Sequence, residues 1–169
     1  MHISIIAIGN RNPAWVSEPC NDYLQRMPSE WRVRLIELPA EKRSKNLSLS
    51  VVKTRETVRL LEAVPRGNRI VVMDEHGAEL STRKLAAKLG QWQQSGEDIS
   101  IVIGGADGID FDVFKEPSKH GLKSLPKPVA DWRWSLSQLT LPHLMVRIIL
   151  VEQLYRAWSI QVGHPYHRE

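Results

Sequence analysis

Side chains that can move a proton or bind an anion are concentrated near the end of the chain. A histidine titrates near neutral pH and can accept a proton, and an arginine can stabilise negative charge on a carbonyl oxygen. A tyrosine can stack on a flat base or hydrogen-bond to it. Because chain termini are usually frayed, this density of functional groups predicts a terminal segment that is docked for a purpose. The candidate catalytic residues are His143, Arg156, Tyr166, His167 and Arg168.

The sequence predicts neither a metal centre nor a disulfide. His164 and His167 have no cysteine or acidic neighbour except Glu169, and the H-E-x-x-H pattern of zinc enzymes is missing. Cys20 is the only cysteine and has no partner, which is typical of a reducing compartment such as the cytosol. We expect it to be a small, half-buried thiol.

Two segments offer backbone groups to a ligand. Gly104, Gly105 and Gly108 follow an apolar run, and missing side chains allow a close approach of ligand to backbone. The segment 136–141 carries small and apolar residues into a helix start. Each segment also has a purely structural interpretation, as a tight turn in the first case and as a capped helix start in the second.

The elements that must position these groups form an α/β pattern. Apolar runs of strand length alternate with helical periods, which predicts a mostly parallel sheet with helices on both faces. Strands are predicted at 2–8, 33–39, 69–74, 98–103 and 132–139, and helices at 13–27, 49–64, 81–94 and 142–160. Open parallel sheets bind ligands at the carboxyl edge of their strands. The segments after Met73, after Ile103 and after the last strand should therefore meet at one site.

Residues 1–169 are expected to form a single domain, interrupted by an unusually long connection. The segment 111–131 has no clean period, so we expect a loop there, with 111–128 as an insertion or lid. The lysines of this segment allow two interpretations, a face exposed to solvent and an additional contact with nucleic acid. Those lysines recur at every fourth position: Lys115, Lys119, Lys123 and Lys127.

The last predicted helix is apolar nearly all round, which requires burial on more than one side. A sheet covers one side only, so the pattern predicts a second copy of the chain on the other and hence a homodimer. His143, Arg147, Glu152 and Arg156 interrupt this apolar stretch, so we expect no membrane span. The N-terminus shows no leader pattern, and we expect a cytoplasmic protein.

The formal net charge of +4 and a pI near 9.4 are compatible with a polyanionic partner but decide little alone. Part of this charge lies in the cluster Glu41-Lys42-Arg43-Ser44-Lys45, within a predicted loop. A solvated surface and a nucleic-acid contact both remain possible for this cluster.

As a set, these motifs resemble a known family. They are Ile103-Gly104-Gly105-x-x-Gly108, Trp134-Ser135-Leu136-Ser137-x-Leu139-Thr140-Leu141-Pro142-His143, Arg147, the segment 152–160, and His164-Pro165-Tyr166-His167-Arg168-Glu169. The chain resembles the ribosomal RNA large subunit methyltransferase H family, in the SPOUT class of knotted RNA methyltransferases. The resemblance covers nearly the whole chain, and its last motif is the most specific.

This resemblance implies a deep trefoil knot at the C-terminal end, a rare exception to the rule that chains do not thread loops. It also implies a homodimer and S-adenosylmethionine as methyl donor, released as S-adenosylhomocysteine, with no metal. Ala106 stands where many relatives have proline, a change that would loosen the donor loop. The expected donor-binding residues are Met73, Gly104, Gly105, Gly108, Leu136, Ser137, Gln138, Leu139, Thr140 and Leu141.

The family reaction is methylation at N3 of a pseudouridine in the helix 69 loop of 23S rRNA, with the assembled ribosome as substrate. For this chain the resemblance implies a proton acceptor, His143 or His167, or an arginine that stabilises the N3 anion. The C-terminal tail would reach the donor pocket of the partner subunit. Two other functions stay open: a methyltransferase for transfer RNA or another ribosomal base, and a non-enzymatic RNA-binding protein. A Ser-His hydrolase has little support, because Ser137 lies in no G-x-S-x-G motif.

Overall fold

The structure is a computed structural model that describes residues 1–122, 125 and 132–167. One five-stranded sheet in the order β2-β1-β4-β3-β5 organises it, and every neighbouring pair of strands is parallel. The predicted α/β class is therefore confirmed. The elements are β1 (His2–Ile8), α1 (Ala14–Arg26), β2 (Arg32–Leu38), α2 (Leu49–Glu62), β3 (Arg69–Glu79), α3 (Thr82–Gln94), β4 (Ile99–Ile103), α4 (Phe111–Lys115), a 3-10 helix (Pro117–His120), β5 (Arg133–Ser135) and α5 (His143–Gln161).

The sheet separates two apolar cores, because side chains alternate between its faces. Ile3 and Ile5 of β1 point into the larger core, which α1, α3 and α5 cover. Ile6 and Ile8 point into the smaller core, which α2 and α4 cover. Helices therefore lie on both faces, as the sequence predicts.

Helix starts follow the expected signals in most places. The Ser48 hydroxyl caps α2 by accepting a hydrogen bond from the Val51 amide at 3.3 Å. The Ser81 hydroxyl caps α3 by accepting one from the Lys84 amide, also at 3.3 Å. Pro13 immediately precedes α1. Helix α1 begins at Ala14, as the predicted helix at 13–27 requires, and it includes Pro19.

The structure corrects three of the predicted elements. The last strand, predicted at 132–139, is only Arg133–Ser135, and the residues after it form a connection to α5. The third strand does not end at 74 but continues to Glu79, with a register shift between Met73 and Ala78 where it pairs with β5. Gly77 permits the close approach of β3 to β5 at this point, because a Cβ on residue 77 would lie only 2.6 Å from the Arg133 carbonyl carbon. The segment 111–131 is not simply a loop, since α4 and the 3-10 helix occupy 111–120. Lys123, Lys127 and most of the remaining segment lie outside the described residues.

Helix α5 is buried more completely within one chain than the sequence argument assumes. It packs against both α1 and α3 as well as the sheet, and Leu150, Leu154 and Ala157 are fully buried. Met145 stays 37% exposed, and Ile148 is half-buried. The homodimer and the knot remain predictions. Among the described helices, none combines the length and apolar character needed to cross a bilayer.

Candidate active site

A cavity of about 510 Å³ opens at the carboxyl edge of the sheet. This is within the usual size range of small-molecule sites. The three segments expected to converge do meet here: the end of β3 from Met73, the connection after β4, and the connection from β5 to α5. The lining residues fall in the ranges 73–75, 103–109, 134–137, 139–143 and at 146.

The glycine-rich connection after β4 folds into a tight turn. The Gly108 amide donates to the Gly105 carbonyl at 3.0 Å, and Gly108 adopts a φ of +79° that glycine tolerates best. A Cβ on Gly104 would lie 2.8 Å from the Gly108 carbonyl, which is too close for any side chain. The segment is therefore a tight turn, and it places the backbone of Gly104, Gly105 and Gly108 in the lining of the cavity.

The connection before α5 is folded by its own hydroxyl groups. The Ser135 hydroxyl donates to the Ser137 carbonyl at 2.7 Å, and the Leu139 amide donates to the Ser137 hydroxyl at 2.9 Å. The Thr140 hydroxyl then donates across the cavity rim to the Glu75 carboxylate at 3.0 Å. Gln138 is exposed and is the one expected donor-binding residue that is not part of the cavity lining.

His143, the first residue of α5, lines the cavity with a half-buried side chain. Burial lowers the pKa of its imidazole, and the nearby positive charge of Arg147 lowers it further. His143 is therefore uncharged at neutral pH and has the protonation state of a proton acceptor. Of the candidate catalytic residues that the structure describes, it is the one placed at the cavity.

Arg147 lies one helical turn beyond His143 and is completely buried. Its guanidinium donates to the Gly9 carbonyl and the Asn12 side chain at 2.9 Å each, to Glu37 at 2.8 Å, and to the Ile8 carbonyl. These contacts fix the start of α5 to the carboxyl ends of β1 and β2. Sequence reasoning assigned Arg147 no role, although a single arginine in an apolar helix was a usable signal.

Two of the carboxylates that line the cavity are neutralised by arginines. Asp74 forms an ion pair with Arg133, and Asp107 pairs with Arg43 at 2.7 Å. The Arg43 contact links the cavity turn to the predicted loop that carries the basic cluster. Glu75 hydrogen-bonds to Thr140 at the rim.

Arg156, Tyr166 and His167 lie elsewhere. The Tyr166 hydroxyl is within 3.1 Å of Glu152 and 3.0 Å of the Tyr23 hydroxyl, and Arg156 lies over the Tyr166 ring. Burial and the Tyr23 contact raise the pKa of Tyr166, so this phenol stays protonated. None of the three belongs to the described lining of the cavity. About 20 Å of helix separates His143 from Arg156 at 1.5 Å per residue.

The tail is docked as far as it is described. The Tyr166 amide donates to the His164 ring at 3.2 Å, and the His167 Nδ1 is buried without a hydrogen-bond partner in the described ranges. Arg168 lies outside the described residues. Within the part of the chain that the structure describes, no group of three His, Cys, Asp or Glu side chains is arranged to hold a metal ion.

Comparison with known proteins agrees with this architecture. Residues 1–167 match the family described as "Predicted SPOUT methyltransferase". Curated proteins named Ribosomal RNA large subunit methyltransferase H are 40% identical in Hydrogenovibrio crunogenus, 44% in Methylobacillus flagellatus and 43% in Methylibium petroleiphilum. Each of these alignments covers 169 residues and the whole of both chains. The chain therefore belongs to the SPOUT methyltransferase family, in the group whose curated members carry that name.

Proposed function

We propose that this protein is an S-adenosylmethionine-dependent methyltransferase that modifies N3 of a pseudouridine in the helix 69 loop of 23S rRNA. The assembled ribosome would be its substrate and the cytoplasm its location. The observation that carries the proposal is the cavity at the carboxyl edge, where the glycine turn, the 135–141 connection and His143 meet. The name shared by its relatives points to the same class of substrate.

The cavity suits the donor by size and by chemistry. Apolar side chains such as Ile103, Leu136 and Leu141 can cover a flat adenine ring, while the backbone of the glycine turn offers polar groups to its edge. The donor carries a net positive charge, and Glu75 supplies a carboxylate at the rim. We therefore assign donor binding to Met73, Gly104, Gly105, Gly108 and the segment 136–141; Gln138 would contribute through its backbone.

The donor supplies a methyl group that is already electrophilic because it is bound to a sulfonium. The chain must hold the acceptor base in line with the C–S bond and must remove one proton. In the proposed step the N3–H bond breaks and the proton moves to the neutral imidazole of His143. The N3–CH3 bond forms as the S–CH3 bond breaks, which leaves S-adenosylhomocysteine.

A second copy of the chain would complete this site. Arg156 and Tyr166 lie far along α5 from the cavity of their own chain, so they cannot contact a base held there without a large rearrangement. In a homodimer they would face the partner's cavity together with His167 and Arg168. An arginine there would stabilise negative charge on the carbonyl oxygens beside N3, and Tyr166 would stack on the base.

Methyl transfer measured in parallel on undermodified ribosomes, free 23S rRNA and transfer RNA tests the acceptor. We expect transfer to ribosomes, with the modified base mapped to a helix 69 pseudouridine. Methylation of transfer RNA, or of another ribosomal base, would show that the acceptor is not the one proposed. Calorimetry with S-adenosylhomocysteine tests the enzyme class itself, because a non-enzymatic RNA-binding protein would not bind it at millimolar concentration.

A further inference from the structure

The cluster Glu41-Lys42-Arg43-Ser44-Lys45, here called the basic loop, connects β2 to α2 and contributes no residue to the described lining of the cavity. Its three basic residues are exposed, whereas Glu41 is half-buried. From their position we propose that the basic loop binds the phosphate backbone of the RNA whose base enters the cavity. This inference rests on the proposed function and adds a contact surface to it.

The basic loop is held in place at the side of α2. The Glu41 carboxylate accepts hydrogen bonds from Arg55 and Arg59, and the Glu41 amide donates to the buried Glu56 carboxylate at 2.9 Å. A turn closes the loop, because the Leu47 amide donates to the Ser44 carbonyl at 3.1 Å. A surface held at several points loses less conformational entropy on binding than a free loop.

The basic loop also lies directly against the cavity. Arg43 donates to Asp107 at 2.7 Å, and Asp107 lines the cavity within the glycine turn. This pair neutralises a carboxylate that would otherwise repel phosphate at the rim. Arg43 is thus a positioning residue, which fixes the loop and removes a repulsive charge.

Lys42 and Lys45 remain available for a ligand. Both are exposed, and neither has an ion-pair partner among the described residues. An ammonium group binds a phosphate as a compact point charge without demanding a fixed orientation. RNA is a better candidate ligand than an acidic peptide. A nucleotide whose base lies in the cavity would place its flanking phosphates at the cavity rim, next to the basic loop.

The experiment removes the two free charges without disturbing the anchored residues. The Lys42→Ala/Lys45→Ala variant is compared with Lys42→Arg/Lys45→Arg, which keeps both charges. Arg32→Ala/Arg66→Ala is the matched control, because it removes two exposed charges at the amino edge of the sheet. Arg32 is the first residue of β2, and Arg66 precedes β3. Binding of a 23S rRNA transcript and of undermodified ribosomes is measured by filter assay at several salt concentrations. Methyl transfer to the ribosomes is measured in parallel, and S-adenosylhomocysteine binding by calorimetry.

We expect the double alanine variant to bind RNA about tenfold more weakly at 0.15 M salt, with the log–log salt slope reduced by roughly 1.4 to 1.8. The arginine variant should match the unaltered chain, and the control should change affinity by about twofold or less. S-adenosylhomocysteine affinity should stay constant in every variant. An unchanged RNA affinity and slope in the double alanine variant would overturn the inference.

The other outcomes separate this inference from the function on which it rests. If the unaltered protein methylates ribosomes while the double alanine variant binds and reacts equally well, the basic loop proposal fails alone. If the unaltered protein binds neither rRNA nor S-adenosylhomocysteine, both proposals fail. Weakened binding to ribosomes with normal binding to free rRNA would assign the loop to a ribosomal protein and would also overturn the RNA contact.

Discussion

His143 is the residue on which the proposed chemistry depends most directly. Its imidazole lines the cavity, and burial together with the Arg147 charge lowers its pKa below the usual value near 6.5. A base of lowered pKa accepts a proton less strongly but is available over a wider pH range. The arrangement therefore favours an imidazole that is uncharged, and able to accept a proton, at neutral pH.

The first prediction concerns this imidazole. Replacing His143 with asparagine should lower the rate constant of methyl transfer about 100-fold, the lower end of the range for a general base. Because the folded-state pKa is lowered, the unaltered enzyme should lose activity only as the pH falls below 6.5, and the variant should lack this acid limb. Single-turnover rates from pH 5 to 8 measure both. An acid limb that persists in the variant would exclude His143 as the base.

Arg147 gives a prediction about stability. Replacing it with methionine leaves the Glu37 carboxylate without its cation, and three further acceptors, on Ile8, Gly9 and Asn12, lose their donor. Because Glu37 is partly exposed, we expect a cost of about 3 kcal/mol of unfolding free energy, the lower end of the range for breaking a buried pair. Urea unfolding measures this loss.

A second substitution, Glu37→Gln in the same chain, controls for the unpaired charge. It should restore part of the lost stability because it removes that charge. If Arg147→Met unfolds at the same urea concentration as the unaltered chain, the buried contacts do not stabilise the fold.

At the scale of the element, the glycine turn after β4 must stay free of side chains. A methyl group added at Gly104 would lie 2.8 Å from the Gly108 carbonyl and would displace the turn. We expect Gly104→Ala to weaken S-adenosylhomocysteine binding at least tenfold, which corresponds to about 1.4 kcal/mol. Calorimetry measures this change.

Gly90→Ala in α3 is a suitable control for that substitution, because its added methyl group meets only the flexible end of Gln161, at 3.2 Å. It should leave donor binding unchanged. Equal affinities in the two variants would show that the turn does not hold the donor.

The elements also show where sequence reasoning succeeds and where it stops. Strands β1 and β4 and the first half of β3 are predictable because each is a nearly continuous apolar run, and Ser48 and Ser81 mark the starts of their helices as caps. Helix α4 is only five residues long, which is too short to show the helical periodicity of apolar residues in the sequence. Its cap at Asp110 becomes visible only with the structure. Arg147 shows the same limit at the site, because its acceptors Ile8, Gly9, Asn12 and Glu37 are at least 110 residues away in the sequence.

At the scale of the whole molecule, the main feature is the separation of the cavity from the tail. His143 begins α5 at the cavity, whereas Tyr166 packs beside Glu152 and Arg156 farther along the helix. Periodicity could not have shown this separation, and the proposed use of the tail in a partner's site came from family resemblance. The knot has the same origin, whereas the dimer is predicted both by the apolar circumference of the last helix and by the resemblance.

Mixed dimers test the shared site. A His143→Asn chain lacks the base but keeps its tail, and a chain that lacks residues 166–169 keeps the base but lacks the tail. Each alone should keep no more than about one hundredth of the unaltered activity while remaining dimeric. Random mixing should recover about a quarter of the unaltered activity, because half of the dimers are mixed and each of these has one complete site.

Co-purification on two different affinity tags shows that mixed dimers have formed, and methyl transfer measures their activity. Activity retained by the tail-deleted chain alone would contradict the proposed role of the tail. No recovery in verified mixed dimers would show that both groups act within one chain.

The order of strands in the sheet also governs how the chain folds. β1 lies between β2 and β4, and Ile3 pairs with Ile99, so one side of β1 has no neighbour until nearly a hundred residues have been synthesised. At about 5 to 20 residues per second, this leaves an apolar strand exposed for several seconds or more behind the translating ribosome. Such long-range pairing makes folding slow and the nascent chain prone to aggregation. Emergence of β4 is therefore the event that first completes the centre of the sheet.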